Sequence, residues 1–168
     1  MVELTLPRDS RVRKGVVHAP PASPKKPRTF RIYRWSPDEG GNPRLDEFTL
    51  DLAECGPMVL DALIRIKDQL DPSLAFRRSC REGICGSCAM NINGSNTLAC
   101  LQSIEHLDGD VRIYPLPHLP VVKDLVPDLT HVYAQYASIR PWIETQSPTP
   151  PDRERLQAPE ERDRLDGL

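Results

Sequence analysis

The spacing of apolar and polar residues changes several times along the chain, and each change predicts a different element. "RTFRIYRW" (28–35) reads as a strand, and "PDEGGNPR" (37–44) has the Gly, Asn and Pro of a turn. "LDEFTLDL" (45–52) puts Phe48, Leu50 and Leu52 on one face, the period of two of a returning strand. The two form a hairpin with a long loop. In "CGPMVLDALIRIKDQL" (55–70) the period lengthens, and Val59, Ala62, Leu63, Ile66 and Leu70 make one helical stripe. Pro57 suits the first helical turn, and Asp71-Pro72 closes the helix. "SCAMNI" (87–92) and "TLAC" (97–100) flank Asn93-Gly94, a pair that tolerates the positive φ of a tight hairpin turn. "DVRIYPL" (110–116) predicts a last strand. The order implies an α+β fold, a mixed sheet packed on a single helix.

Beyond Val121 the texture changes. Leu125, Leu129, Val132, Tyr136, Ile139 and Ile143 step by three or four, which predicts an amphipathic helix over 125–143. "TQSPTPPDR" (145–153) reads as a linker, and a short charged helix is expected after Ala158. At the other end, Arg8, Arg11, Arg13, Lys14, Lys25, Lys26 and Arg28 sit among prolines that break any amphipathic helix. Residues 1–28 therefore read as a basic, Pro-rich tail rather than a targeting helix. Three segments result: the tail (1–28), a compact α+β domain (29–120) and a helical segment (121–168).

Composition narrows the function. The 168 residues carry a formal net charge of −2, without the basic excess that nucleic-acid binding needs. Hydrophobic content is 39% with 18 prolines, which fits a modest core and much loop. No apolar run reaches the ~20 residues of a membrane-spanning helix. No export signal is visible, so a reducing compartment is expected, which weakens any disulfide reading.

The chemistry concentrates between Phe76 and Cys100, in "FRRSCREGICGSCAMNINGSNTLAC". The spacing is Cys80-x4-Cys85-x2-Cys88-x11-Cys100, and its first three members match the plant-type C-x4-C-x2-C pattern of a 2Fe–2S ferredoxin. Such a cluster has two terminal ligands on each iron, so four thiolates meet its requirement. Gly83 and Gly86 permit turns that aim peptide N–H groups at sulfur, and Ser79 and Ser87 offer hydroxyl donors. Structural zinc normally uses two separated knuckles, and only Cys85-x2-Cys88 forms one. Zinc and disulfides stay as the competing readings.

Arg77, Arg78 and Arg81 crowd the site with only Glu82 opposing. Positive charge beside a cluster favours its reduced state. The competing reading points these side chains to solvent or to a partner protein. Cys55, remote from the loop, reads as a small buried hydrophobe. His18, His106, His118 and His131 show no ligand-like pairing, and no nucleophile–base pair or phosphate-binding loop is present.

These stretches resemble a known family. The cysteine segment, "CGPMVLDALIRIK" before it and "PLPHLPVVKDLVPDLTHVYAQYASIRPW" after it are similar to the iron–sulfur subunit of succinate dehydrogenase (respiratory complex II) over about Phe30 to Leu168. Fumarate reductase subunits are similar too, though the cysteine segment looks more like the succinate-oxidising branch. The resemblance implies a β-grasp 2Fe–2S ferredoxin-like domain followed by the start of an all-α second domain. It implies Cys80 and Cys85 on one iron, and Cys88 and Cys100 on the other. It further implies electron flow from the FAD of a flavoprotein partner toward ubiquinone at membrane-anchor subunits, within the tricarboxylic acid cycle and respiratory chain. The family's 4Fe–4S and 3Fe–4S clusters need a cysteine-rich run that is not in these 168 residues, so a fragment or truncated product is expected. The expected location is peripheral, on the cytoplasmic face of a bacterial inner membrane or the matrix face of a mitochondrial one. Two alternatives are a free-standing ferredoxin-like carrier and a structural zinc module.

Overall fold

The computed structural model describes residues 11–142, 144, 151–154 and 156–166. It divides into two compact units, at Thr130/His131.

The first unit is built on a six-stranded mixed sheet. The strands are β1 (Arg13–Val17), β2 (Pro27–Arg34), β3 (Arg44–Asp51), β4 (Ala89–Ile92), β5 (Ser95–Leu98) and β6 (Val111–Tyr114). Their spatial order is β1-β3-β2-β6-β4-β5. β2 and β3 pair antiparallel in full register, Phe30 against Phe48. β6 lies parallel to β2, and β4 antiparallel to both β6 and β5. Helix α1 (Val59–Gln69) supplies the other layer. It buries Val59, Leu60, Ala62, Leu63 and Ile66 in one cluster with Phe30, Ile32, Phe48, Leu50, Met90, Ile92, Val111 and Ile113. The alternation of β2 and β3 and the stripe of α1 meet in one α+β core, as their periods predict.

Several expectations shift in detail. Pro57 lies ahead of the helix N-cap, Met58, rather than in the first turn. Leu70 is the C-cap and remains 38% exposed. The tail is not wholly irregular. Residues 1–10 fall outside the described residues, but β1 joins the sheet edge parallel to β3. The tail's later part is fastened by Asp51, whose carboxylate accepts the N–H groups of Lys25 and Lys26 at 2.8 and 2.9 Å. Covering an open edge strand in this way satisfies N–H and C=O groups that would otherwise invite aggregation.

The helix expected over 125–143 begins only at Thr130. Residues 121–127 instead form a small hairpin, β7 (Val121–Lys123) with β8 (Val126–Pro127). Pro127 cannot donate within a helix, and Asp128 accepts the N–H of Thr130 at 2.9 Å to start the next element. Leu125 is buried in the core of the first unit, so its place in an apparent helical stripe was coincidental.

Buried Arg34 ties this hairpin to the rest. Its guanidinium pairs with Asp71, with Asp46 at 3.4 Å and with Asp124 at 3.1 Å. Asp124 also accepts the N–H groups of Trp35 and Ala75 at 3.0 and 2.9 Å. Three chain segments thus send a carboxylate to one cation that is 3% exposed. Removing one partner of such a buried set leaves an uncompensated charge, which is costly.

The second unit contains all of α2 (Thr130–Ile139) but its first residue, with its residues exposed, and the short helix α3 (Pro159–Asp163), which starts after Ala158 as the sequence suggests. Position 143 and residues 145–150 lie outside the described residues, which leaves out Ile143 and much of the expected linker.

Candidate metal centre

The segment carrying the cysteines is held at both ends. At its entry Leu74 is buried, Leu125 donates its N–H to the Ala75 carbonyl at 3.2 Å, and Arg77 donates to the Pro127 carbonyl at 2.8 Å. At its exit the Gly86 carbonyl accepts the N–H of Ala89 at 3.0 Å, turning the chain into β4. The β4–β5 turn then reverses it, with Asn93 at φ 47° and Gly94 at φ 89°. Both central residues take the positive φ that a two-residue hairpin loop favours.

That hairpin returns Cys100 beside the loop. The turn bearing Cys100 is bonded to the start of α1. Val59 donates to the Gln102 carbonyl and Leu60 to the Ala99 carbonyl, each at 2.9 Å, and Ile104 donates back to Pro57 at 2.9 Å. A helix start has N–H groups with no partner inside the helix. Here the main chain around Cys100 accepts two of them. The same contacts satisfy the helix and place the fourth thiol.

The loop between Cys80 and Cys88 is tightly wound. Arg81, Gly83 and Gly86 have φ of 64°, 79° and 70°. Gly86 has open space around it, so its need is conformational alone. Gly83 has a second constraint, the Leu101 side chain packed on it.

The thiols fall into two pairs. The N–H of Cys80 points at Cys85 Sγ at 3.5 Å, and the N–H of Cys85 at Cys80 Sγ at 3.3 Å. Cys88 and Cys100 interact with each other, 3% and 5% exposed. All five cysteines are free thiols. Among the described residues, no three cysteine sulfurs come within 4.8 Å of one another, as a single bound ion would ask. Two pairs suit two irons, each with two protein ligands, better than one zinc ion.

The pairs differ electrostatically. In the outer pair, the Ser87 hydroxyl, then the N–H groups of Cys80 and Ser87, bring the Cys85 thiol down to about 6. A thiolate is therefore ready at the exposed edge. In the inner pair, burial pushes the Cys88 thiol up, and the adjacent Cys100 side chain adds to the rise. A metal that binds thiolate must displace that proton, so loading of the inner pair is coupled to proton release.

The residues set aside as non-ligands divide as follows. Cys55 packs half-buried against the core, and burial raises its thiol above the usual range. His106, His118 and His131 are exposed. His18 stacks on Phe48 at 4.1 Å and comes within 4.8 Å of Asp46 and Asp71. That grouping is not visible in sequence. The two carboxylates are already engaged by the guanidinium groups of Arg34 and Arg44, which disfavours a cation there.

One residue near the thiols escaped the sequence reading. Asp61, in the first turn of α1, accepts the N–H of Met58 at 3.1 Å and the guanidinium of Arg81 at 2.8 Å. An acidic residue three positions after a helix N-cap was the signal available for it. Arg81 therefore faces a carboxylate, and Arg77 is spent on Pro127, while Arg78 is exposed.

The family described as "2Fe-2S iron-sulfur cluster binding domain" matches residues 29–134. The chain belongs to this family. The ferredoxin-like domain and its 2Fe–2S cofactor follow from that membership, and the paired thiols fit it. All 168 residues align at 61% identity with the succinate dehydrogenase iron-sulfur subunit of Paracoccus denitrificans, covering 64% of that protein's length. A chain of the Mycobacterium smegmatis Sdh1 complex in the apo form superposes with a TM-score of 0.62 at 32% identity. That match covers 79% of this chain and 54% of the other. This 2Fe–2S domain protein is thus a homologue of succinate dehydrogenase iron–sulfur subunits and spans about two thirds of such a relative's length. No helix among the described residues is long and apolar enough to cross a membrane.

Proposed function

We propose that Cys80, Cys85, Cys88 and Cys100 ligate the 2Fe–2S cluster, and that this chain is the electron-entry part of a succinate:quinone oxidoreductase. The observation carrying the reading is the division of the four thiols into an outer pair, Cys80 half-buried and Cys85 exposed, and a buried pair, Cys88 and Cys100, on one anchored loop-and-hairpin unit. When bound, the cluster would supply one-electron redox chemistry at a fixed place. The chain's own residues do the rest. Cys80 and Cys85 hold the solvent side, Cys88 and Cys100 the core side, and the α1 start fixes their separation. Peptide N–H groups of residues 80 and 85 already point at sulfur, and such bonds stabilise negative charge there.

In this reading the electrons come from the flavin of a partner flavoprotein and go on toward a quinone at membrane-anchor subunits. We read the helical segment after the 2Fe–2S domain, which the sequence places from 121 onward, as the opening of a second, all-α domain, and the division of the chain at Thr130/His131 supports a separate unit there. The protein would sit peripherally on the face of the membrane where succinate is oxidised, the bacterial cytoplasm or the mitochondrial matrix.

Anaerobic reconstitution tests the ligand set. Two irons and two sulfides per chain with a rhombic EPR signal on reduction are expected. A colourless, zinc-loaded product overturns it. Affinity isolation from the native source tests the assignment to the complex. Recovery with a covalent flavoprotein is expected, and reproducible isolation without one overturns it.

A further inference from the structure

Resting on the ligand reading above, we infer that Asp61 is a positioning residue for the cluster, holding the Cys80–Cys85 loop through Arg81 and cancelling that arginine's charge beside the irons. Arg81 directly follows Cys80 and sits at φ 64°, a left-handed conformation in which a non-glycine residue needs outside support. The support is visible. Arg81 Nη2 meets Asp61 Oδ1 at 2.8 Å, while Asp61 Oδ2 accepts the Met58 N–H at 3.1 Å.

One carboxylate thus spans two duties, capping α1 and anchoring the loop. Its room is reserved by Gly56, where an added Cβ would stand 2.5 Å from Asp61 Oδ2. The Asp61 side chain is 22% exposed and that of Arg81 54%, so the pair lies at the solvent-exposed edge of the domain, with its carboxylate end the more sheltered. Because α1 also carries the Cys100 turn on its first N–H groups, both ends of the ligand set are referred to the same helix start.

The electrostatic consequence alters the simple reading of an arginine-rich site. Arg81 does not act as a free cation, since Asp61 opposes it. Removing the carboxylate exposes the guanidinium and favours the reduced cluster, and removing the guanidinium does the opposite. A purely structural brace predicts no such opposition of sign.

The test is an EPR-monitored redox titration of the reconstituted chain. Asp61→Asn keeps a side-chain oxygen for the Met58 N–H, and is expected to raise the midpoint potential. Arg81→Gln is expected to lower it, and the double variant to return close to the starting value. High salt should shrink both shifts, because the pair is partly exposed. Shifts of the same sign, or none, overturn the inference while leaving the ligand reading intact. If Asp61→Asn does not hold a cluster, Arg81→Gln decides alone, a lowered potential supporting the inference and an unchanged or raised one overturning it. Absence of any 2Fe–2S signal in the unaltered chain overturns the ligand reading and this inference together.

Discussion

Gly83 lies against Leu101 so closely that a Cβ built on it would stand 2.6 Å from Leu101 Cδ1. The contact joins the loop between Cys80 and Cys85 to the residue that follows Cys100. It therefore links both cysteine-bearing segments through side-chain packing as well as through the main chain. Two separate costs attach to any side chain at position 83, the clash and a φ of +79°. Gly83→Ala is expected to lower cluster occupancy after reconstitution. Leu101→Ala in that background should restore part of it, because only the clash is relieved. The remaining conformational penalty is on the order of 1 kcal/mol. Iron and sulfide analysis of both variants beside the unaltered chain checks this, and full rescue by Leu101→Ala would show that the backbone conformation costs nothing.

Cys88 is the more deeply placed of the two inner thiols, at 3% exposure, and the proposed ligand role makes it the sharpest test. Cys88→Ser keeps the size but presents a harder, less acidic oxygen to iron. A cluster that is lost or has an altered EPR line shape is expected, with far-UV circular dichroism little changed, since serine keeps the size of cysteine and the core is made by apolar residues of α1 and the sheet. An unaltered signal would remove Cys88 from the ligand set.

Cys85 should be the most reactive thiol of the metal-free chain. It is exposed, and hydrogen bonds led by the Ser87 hydroxyl lower it to about 6. Iodoacetamide at pH 7 is expected to label it ahead of Cys88 and Cys100. Dropping to pH 5 should slow the labelling about tenfold, as the thiolate fraction falls. Ser87→Ala should move the profile to higher pH. Peptide mass spectrometry over time reads out all three thiols, and equal rates among them would contradict the asymmetry.

Asp71 makes the fold sensitive to acid. Burial alone would raise its carboxyl, but the Ser73 hydroxyl and then the Arg34 guanidinium outweigh that and bring it to about 2. The folded value lies below the unfolded one. The stabilisation is therefore full above about pH 4 to 5 and is lost as pH falls toward 2. It amounts to at most about 2 kcal/mol, the site being partly exposed. Urea unfolding between pH 7 and pH 2.5 should show this loss. Asp71→Asn should be less stable at pH 7 and have a flatter acid profile, and a parallel profile would count against the pairing.

Much of the site was legible because its signals are local. A cysteine spacing, an Asn-Gly turn and the glycines of a tight loop each act over a few residues, and the structure keeps Cys80, Cys85, Cys88 and Cys100 in one unit. The β2–β3 hairpin and α1 were legible for the same reason, as a period of two or of 3.6 reports which face is buried. The misreadings were of another kind. Leu125 fitted a helical stripe numerically, yet it is buried beside Ala75 by a hairpin that Arg34 and Asp124 hold in place. Strand β1 was missed because its five residues, mostly exposed, show no burial pattern and gain their structure from the edge of β3.

The sequence by itself narrowed the chemistry, since four thiols at these intervals on a turn-rich loop suit two irons better than zinc or disulfides, and it determined the α+β class through its alternating periods. The tertiary structure decided which thiols pair, which pair is buried, and what the loop arginines face. Those outcomes depend on contacts between residues twenty or more positions apart, such as Asp61 with Arg81 and Leu60 with Ala99. Pairings at that range are set by how the helix start and the returning hairpin satisfy one another's hydrogen bonds, which no local pattern encodes.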